Sequence, residues 1–345
     1  METLEKLLGE YDYTLPKELI AQKPAAPRDG AKLLIYDRKT GKTQVDTFSN
    51  LTKYLPKNAV VVFNETKVIP ARLFLKKETG GRVGILFIEK VGELIKVLAD
   101  RKLNPCAKLT LTSKIFFTVA DSGDKFYFLK PSFKISELPT VLGKYGKTPI
   151  PPYIKNSPLS ENQLREQYQT IFAHKPGSVA APTASLHFTK RLLSKMKRAD
   201  IAAQFVTLHV NLGTFAPLTE KALADGKLHK EFYEISPKTA DFLNKAKASG
   251  RPIVAVGTTV VRTLESAADQ NSKLEKLAGT TSLFIRENYK PKFVDGLITN
   301  FHVPRSSLLM LVSAFCGREK LFELYKKAQS ENFRFFSFGD GMLVI

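Results

Sequence analysis

Histidines 174, 187, 209, 229 and 302 are the five imidazoles of this chain, and most of them lie in turns rather than in periodic stretches. His187 closes the segment Pro176 to Phe188, PGSVAAPTASLHF, which has neither helical nor strand periodicity. Its prolines fix φ and remove two donors, and Gly177 can take angles closed to other residues. Such a segment can approach a ligand closely and present Thr183, Ser185 and His187 to it; a rigid connection to the helix that follows accounts for the same residues. His209 ends a strand-like run and is followed by Gly213-Thr214 in LHVNLGTFAP. Its pKa near neutrality suits it to proton transfer, and a satisfied structural histidine is the alternative. His229 stands two residues before Glu231, where a turn hydrogen bond competes with catalysis. No HExxH, HxH or cysteine pair supplies the ligand spacing of a zinc site, so no metal is expected.

Two further segments share one design. AVGTTVVRTLES, 255–266, reads as strand, glycine, helix. Gly257 permits close backbone approach, Thr258 or Thr259 can cap, and the free amides of a helix start can hold an anion or carboxylate. Arg262 and Glu265 are three apart on one helical face, either a surface pair or, for Arg262, a contact for a substrate carboxylate. NFHVPRSSLLMLVSAF, 300–315, repeats the arrangement, with His302 in the turn and Asp295 upstream. No GxGxxG or GxxxxGK[ST] is present, which argues against the common dinucleotide or methyltransferase fingerprint and against phosphate-loop ATP use. No GxSxG elbow and no convincing carboxylate pair is found either.

The elements that must hold these residues read as α/β. The run AVVVF at 59–63 is a buried strand. From Ala71 to Thr148 short β-rich runs follow one another, broken by Gly80-Gly81, Gly92, Asn104-Pro105 and Ser122-Gly123, a spacing that suggests a small barrel. Strands then alternate with helices from 189 onward, the pattern of a layered α/β domain with a partly parallel sheet, whose ligands sit at strand carboxyl ends. The expected organisation is a main α/β domain, residues 1–70 and 149–345, carrying an inserted barrel-like domain, 71–148. Helices are expected near 16–21, 51–55 and 161–173, and strands at 201–210, 282–285 and 293–298. The chain has 345 residues, enough for two cores. Its 53 basic and 33 acidic residues give a net charge of +20, which favours a polyanionic partner. The lysine- and arginine-rich helix from 189, with Lys190, Arg191 and Lys195, reads as a solvated face or as an RNA backbone contact. Two cysteines suit a reducing cytoplasm, and neither an export signal nor a membrane span is expected.

Nine motifs spread over nearly the whole chain carry a resemblance: YDYTLPKELIAQKP, VVFNETKVIPARL, PIPPYI, YQTIF, KPGSVAAPTASLHF, FVTLHVNLGTFAPL, AVGTTVVRTLESAA, VDGLITNFHVPRSSLLMLVSAF and RFFSFGDGMLVI. In these the chain resembles the S-adenosylmethionine:tRNA ribosyltransferase-isomerases of queuosine biosynthesis. The resemblance implies a cytoplasmic enzyme acting on tRNAs with a GUN anticodon. It would move the ribosyl part of S-adenosylmethionine (AdoMet) onto the aminomethyl group of a 7-deazaguanine at the wobble position. The product would be an epoxycyclopentane, with adenine and methionine released, AdoMet as co-substrate, no metal or other cofactor, and no obligate protein partner.

That chemistry needs a base beside the acidic 5′ C–H next to the sulfonium, an acid for departing adenine, and a neutral amine held close. Mapped onto the motifs, Thr183, Ser185, His187, His209 and His302 are the expected catalytic groups, with His187 or His209 preferred for proton transfer. Arg262 is expected at the methionine carboxylate, with Gly257, Thr258, Thr259, Glu265, Asn300, Asp295 and Arg72 as further substrate contacts. The chain departs from the pattern at Gly84, where an acidic residue is usual, and at Ser185 and Asn211, where glycine is common. LHKE and 286–293 also differ. None of these removes a named histidine or Arg262. The rival readings are an AdoMet-dependent RNA methyltransferase and a noncatalytic tRNA-binding protein of the same fold.

Overall fold

A computed structural model describes residues 3–123, 126–211 and 218–345; Gly213 and Thr214 lie outside the described residues. After helix α1 (Leu4–Glu10), the chain forms strands β1 (Lys32–Tyr36), β2 (Thr43–Thr47), β3 (Val60–Asn64) and the short β4 (Thr66–Val68). Six strands follow: β5 (Arg72–Lys77), β6 (Arg82–Val91), β7 (Leu94–Ala99), β8 (Lys108–Thr110), β9 (Phe116–Ser122) and β10 (Tyr127–Pro131). Then come α2 (Leu138–Tyr145), α3 (Glu161–Gln167), β11 (Lys175–Ser178), α4 (Lys190–Arg198), β12 (Ala202–Leu208), α5 (Glu220–Asp225) and β13 (Lys227–Glu234). The chain ends with α6 (Pro237–Ala248), β14 (Ile253–Val256), α7 (Thr258–Ala267), β15 (Ala278–Leu283), β16 (Gly296–Asn300), α8 (Ser307–Cys316), α9 (Arg318–Ser330) and β17 (Gly341–Val344).

Nine strands make the main sheet, in the order β15-β13-β12-β3-β14-β16-β17-β1-β2. Its centre, β12-β3-β14-β16, is parallel. Both faces of this centre are covered, which is why its strands are apolar runs rather than alternating ones. Along β3 the alternation survives only as a choice of core. Val60 and Val62 face the cluster that takes in Leu243, Val261, Leu264 and Met310, while Val61 and Phe63 face Phe188, Leu192 and Met196. The parallel strands all run the same way, so Asn64, His209, Gly257 and Asn300 come to one edge of the sheet.

Strands β5 to β10 close into the expected barrel, in the order β10-β7-β6-β5-β8-β9. Its interior is filled by Leu73, Leu75, Val83, Ile85, Ile95, Val97, Leu109, Phe117, Val119 and Leu129, all buried. The two halves meet where Arg72 exchanges backbone hydrogen bonds with Lys147. Gly146 is needed there, because a Cβ would stand 1.9 Å from the Pro70 carbonyl oxygen. Val179, from the 176–188 segment, packs into the barrel core while Phe188 packs under the main sheet, so this segment ties the barrel to the sheet. Among the described residues no helix is long and apolar enough to cross a membrane.

Several local expectations shift. The helix near 16–21 is a single 3-10 turn, Lys17–Leu19, and that near 51–55 is a 3-10 stretch, Phe48–Lys53. Helix α3 stops at Gln167 rather than near 173. The strands at 282–285 and 293–298 are displaced, to Ala278–Leu283 and Gly296–Asn300. LHKE, read as a turn, lies in the first half of β13. Its alternation buries Glu231 and Tyr233 while Lys230 and Phe232 stay exposed.

Candidate active-site cleft

A cleft opens at the carboxyl ends of the parallel strands, the place where open α/β sheets take their ligands. Four stretches wall it: 181–184, 257–259, 299–303, and the pair Phe336 and Ser337, with Tyr153, Val210 and Leu308 completing the lining. Gly257 has φ +91°, a conformation that favours glycine. It turns β14 directly into α7, whose start has no side-chain cap. Thr258 and Thr259 therefore line the cleft beside amides left for a ligand or water.

Asn64, which sequence reasoning passed over inside its motif, laces the strand ends together. Its Nδ2 donates to the Leu208 carbonyl (3.0 Å) and to Thr259 Oγ1 (3.2 Å), and its Oδ1 accepts from the amides of Leu208 and Thr66. Asn300 does the same on the other side. Its Nδ2 donates to the Asp340 carbonyl (3.3 Å), which fixes the amide orientation, so Oδ1 accepts from Thr183 Oγ1 (2.9 Å). Thr183 thus turns its lone pairs, not its proton, to the cleft.

The three histidines expected in catalysis are held in three different places. His302 lines the cleft, with Nε2 2.9 Å from Thr299 Oγ1 and its backbone N–H donating to Tyr325 Oη (2.8 Å). Burial lowers its pKa to about 3, so it is neutral at physiological pH. His187 lies behind the cleft wall. Its ring stacks on Phe48 at 4.0 Å, its Nε2 is 3.4 Å from Asn300 Nδ2, and burial, reinforced by Arg334, lowers its pKa to about 3. This is a histidine that supports Asn300 and reaches the cleft only through it. His209 sits at the same sheet edge but outside the cleft lining. Its Nδ1 is 2.9 Å from Thr66 Oγ1, which is 2.7 Å from Ser178 Oγ, which accepts the Val210 amide. Since Ser178 already accepts that N–H, its own proton is free for Thr66 and the Thr66 proton for Nδ1. That arrangement suits a His209 that carries its proton on Nε2. Burial and Lys175 both lower its pKa, against the pull of Glu234.

The remaining expected residues divide. Ser185 is fully buried, its hydroxyl without a partner among the described residues. Arg262 is buried against Glu231, forming an ion pair, and its other donors reach the carbonyls of Leu283 (3.3 Å) and Thr281 (3.5 Å). It also lines a smaller recess that shares Thr258, Thr259 and Leu308 with the cleft. Glu265 accepts the amides of Lys292, Phe293 and Val294 and the hydroxyl of Tyr289, so it clamps a loop and does not face the cleft. Asp295 pairs with Lys247 (2.7 Å) and accepts the Ile253 amide, at the amino ends of β14 and β16, the far edge of the sheet. Arg72 lies where the barrel meets the 147–150 segment, donating to the Ile150 carbonyl at 3.4 Å, with Nε buried and unpartnered among the described residues. Of the expected RNA contacts, Lys190 is exposed, Arg191 is bound bidentately by the buried Asp29, and Lys195 donates to the Ser49 carbonyl.

Tyr153, Phe336 and Ser337 were not anticipated. Tyr153 Oη and Ser337 Oγ are 2.6 Å apart, and the rings of Tyr153 and Phe336 meet at 4.9 Å. Phe336 has φ +70°, a conformation that costs a bulky residue about 1–3 kcal/mol and concentrates at functional sites. Among the described residues no group of three or more His, Cys, Asp or Glu is placed to hold a metal ion.

A profile described as queuosine biosynthesis protein matches residues 8–344. The S-adenosylmethionine:tRNA ribosyltransferase-isomerase of Fusobacterium nucleatum is 45% identical, over 98% of this chain and 96% of that protein. The protein of the same name from Carboxydothermus hydrogenoformans is 44% identical, over 98% and 99%. Among solved structures, an S-adenosylmethionine tRNA ribosyltransferase from Thermotoga maritima aligns over 97% of this chain and all of its own, at 33% identity and a TM-score of 0.55.

Proposed function

The chain belongs to the queuosine biosynthesis protein family, and on that premise we infer that it transfers the ribosyl part of AdoMet to tRNA and isomerises it. The acceptor is the aminomethyl group of a 7-deazaguanine at the wobble position of tRNAs with a GUN anticodon. The product is epoxyqueuosine-tRNA, and adenine and methionine leave. The enzyme works in the cytoplasm. The observation that carries this reading is the convergence of Thr183, Thr258, Thr259, Asn300 and His302 on one cleft at the ends of β14 and β16.

In that cleft the roles follow from position. His302 is the one expected catalytic histidine that touches the space a substrate would fill, so it takes up the proton beside the sulfonium. Its low pKa keeps it unprotonated and ready to accept, at some loss of basicity. Asn300 fixes Thr183, whose lone pairs can accept from a ribose hydroxyl or the attacking amine. Thr258 and Thr259, with the uncapped start of α7, take the methionine carboxylate, and Arg262 backs them from the adjoining recess. The cleft's aromatic corner, where Tyr153 and Phe336 meet at 55°, offers the adenine an apolar ring to pack on.

Incubation with AdoMet and tRNA bearing the aminomethyl base tests the reading. Adenine and methionine should form in step with modified tRNA. S-adenosylhomocysteine without adenine would instead mark a methyltransferase, and no small product at all a noncatalytic binder.

A further inference from the structure

The barrel interior is packed with side chains, so whatever the barrel binds must bind outside. Residues 71–148 carry 15 Lys and Arg against 7 Asp and Glu, and strand register shows where part of that charge gathers. Outward-facing Arg82, Lys76, Thr110 and Phe116 stand side by side across β6, β5, β8 and β9. The next row continues through Lys108, Thr118 and Lys130 on β8, β9 and β10. Phe74 flanks the first row and is 38% exposed. Arg82 lies over its ring at 4.4 Å, and Lys108 lies over Phe116 at 4.1 Å. Gly84 leaves room for this, since a Cβ there would come within 3.3 Å of the Phe74 ring and 2.8 Å of the Asp100 carboxylate.

The two rows and the flanking Phe74 hold four cations, two aromatic rings, two threonines and no acid. The acids nearby stand off the band: Asp100 is tied to the Gly84 amide, Asp121 ends β9, and Glu78 lies in the β5–β6 hairpin. None of the four cations forms an ion pair among the described residues. Helix α4 is a weaker candidate for the same task, because Arg191 and Lys195 are engaged within the protein.

We propose that this outer face of β6, β5, β8, β9 and β10 is the tRNA-docking surface, with the cations meeting phosphates and Phe74 and Phe116 meeting unpaired bases. Phe116 is half-buried and Phe74 more open, and cations spaced among accessible rings are the combination that single-stranded RNA recognition uses, since every base has a face to stack and every linkage a charge. The proposal rests on the tRNA reading above.

The test compares three full-length variants with the parent: the combined Lys76→Gln, Arg82→Gln, Lys108→Gln, Lys130→Gln; the single Thr118→Glu, which sets an acid between Lys108 and Lys130; and a control, Lys238→Gln with Lys245→Gln on α6. tRNA affinity is measured over a salt series, and AdoMet affinity alongside. The barrel variants should bind tRNA at least about tenfold more weakly, and the combined variant's log–log salt slope should fall by about 3, because each of its four lost phosphate contacts removes about 0.7–0.9. AdoMet binding and the control should hold. Unchanged tRNA affinity in both barrel variants, or equal weakening in the control, would overturn the assignment. Failure of the parent itself to bind tRNA would instead count against the functional reading.

Discussion

Thr183 donates its hydroxyl to Asn300 Oδ1 across 2.9 Å, joining the proline-rich segment to the end of β16. Asn300 in turn is oriented by the Asp340 carbonyl and backed by His187. One amide therefore sets the position of a cleft hydroxyl on a different element. Asn300→Ala should lower the rate of adenine release by about a hundredfold, the scale of a displacement near 1 Å at a reacting centre, with AdoMet affinity less affected. Thr183→Ser should retain most activity and Thr183→Val should not. Wild-type turnover in Asn300→Ala would remove this pair from the account.

Arg262 and Glu231 form a pair in which both side chains are almost fully buried. Removing one partner strands the other charge, a loss of about 3–5 kcal/mol. Arg262→Met should show that loss in urea unfolding, and adding Glu231→Gln should restore part of it. A variant of normal stability with a sharply raised KM for AdoMet would show that the arginine serves ligand instead.

The pH dependence of stability follows from His187 and His302, each lowered to about 3 by burial. An unfolded histidine titrates near 6.5. Below that pH the unfolded chain takes up protons that the folded chain refuses, so stability falls as pH drops from about 6.5 toward 3 and is unaffected by these groups above it. Each histidine contributes up to about 1.4 kcal/mol per pH unit in that window. Urea midpoints from pH 7.5 to 4.5 should fall less steeply in His187→Asn than in the parent. Equal slopes would mean that His187 is protonated in the fold.

Gly177 lies against His209, and a Cβ there would stand 2.8 Å from the imidazole ring. Its φ of +152° also disfavours a side chain. Gly177→Ala should force the ring off Thr66, with a stability loss of about 1–3 kcal/mol and a change in the His209 ring nitrogen resonances. Unaltered resonances would show that the strand can yield without moving the ring.

Much of the architecture was legible because it is written in local chemistry. Turn residues at short intervals marked the barrel, AVVVF marked a strand covered on both faces, and Gly257 before TTVVR marked the strand-to-helix turn. Strand β13 was missed because Lys227, His229 and Lys230 dilute its alternation, and only the sheet partners β12 and β15 reveal that Glu231 points inward. The site was legible in part. The motifs contained Thr183, Asn300 and His302, but residue type could not say that His187 faces Phe48 rather than the cleft, or that Glu265 is consumed by a loop. Asp295 looked close to His302 in sequence, yet the length of β16 carries the two to opposite edges of the sheet. Tyr153 and Phe336 carried no catalytic signature at all. They matter only because the fold brings residues 153 and 336 together, and the left-handed backbone of Phe336 is not visible in its name.

The carbon skeleton delivered to tRNA should be the ribose of AdoMet. The direct measurement uses two preparations of AdoMet, radiolabelled in the ribose carbons or in the methyl group, with tRNA bearing the aminomethyl base. Label should enter tRNA from ribose-labelled AdoMet only, and far more slowly with His302→Ala. Transfer of the methyl label, with the ribose label left in solution, would contradict the account.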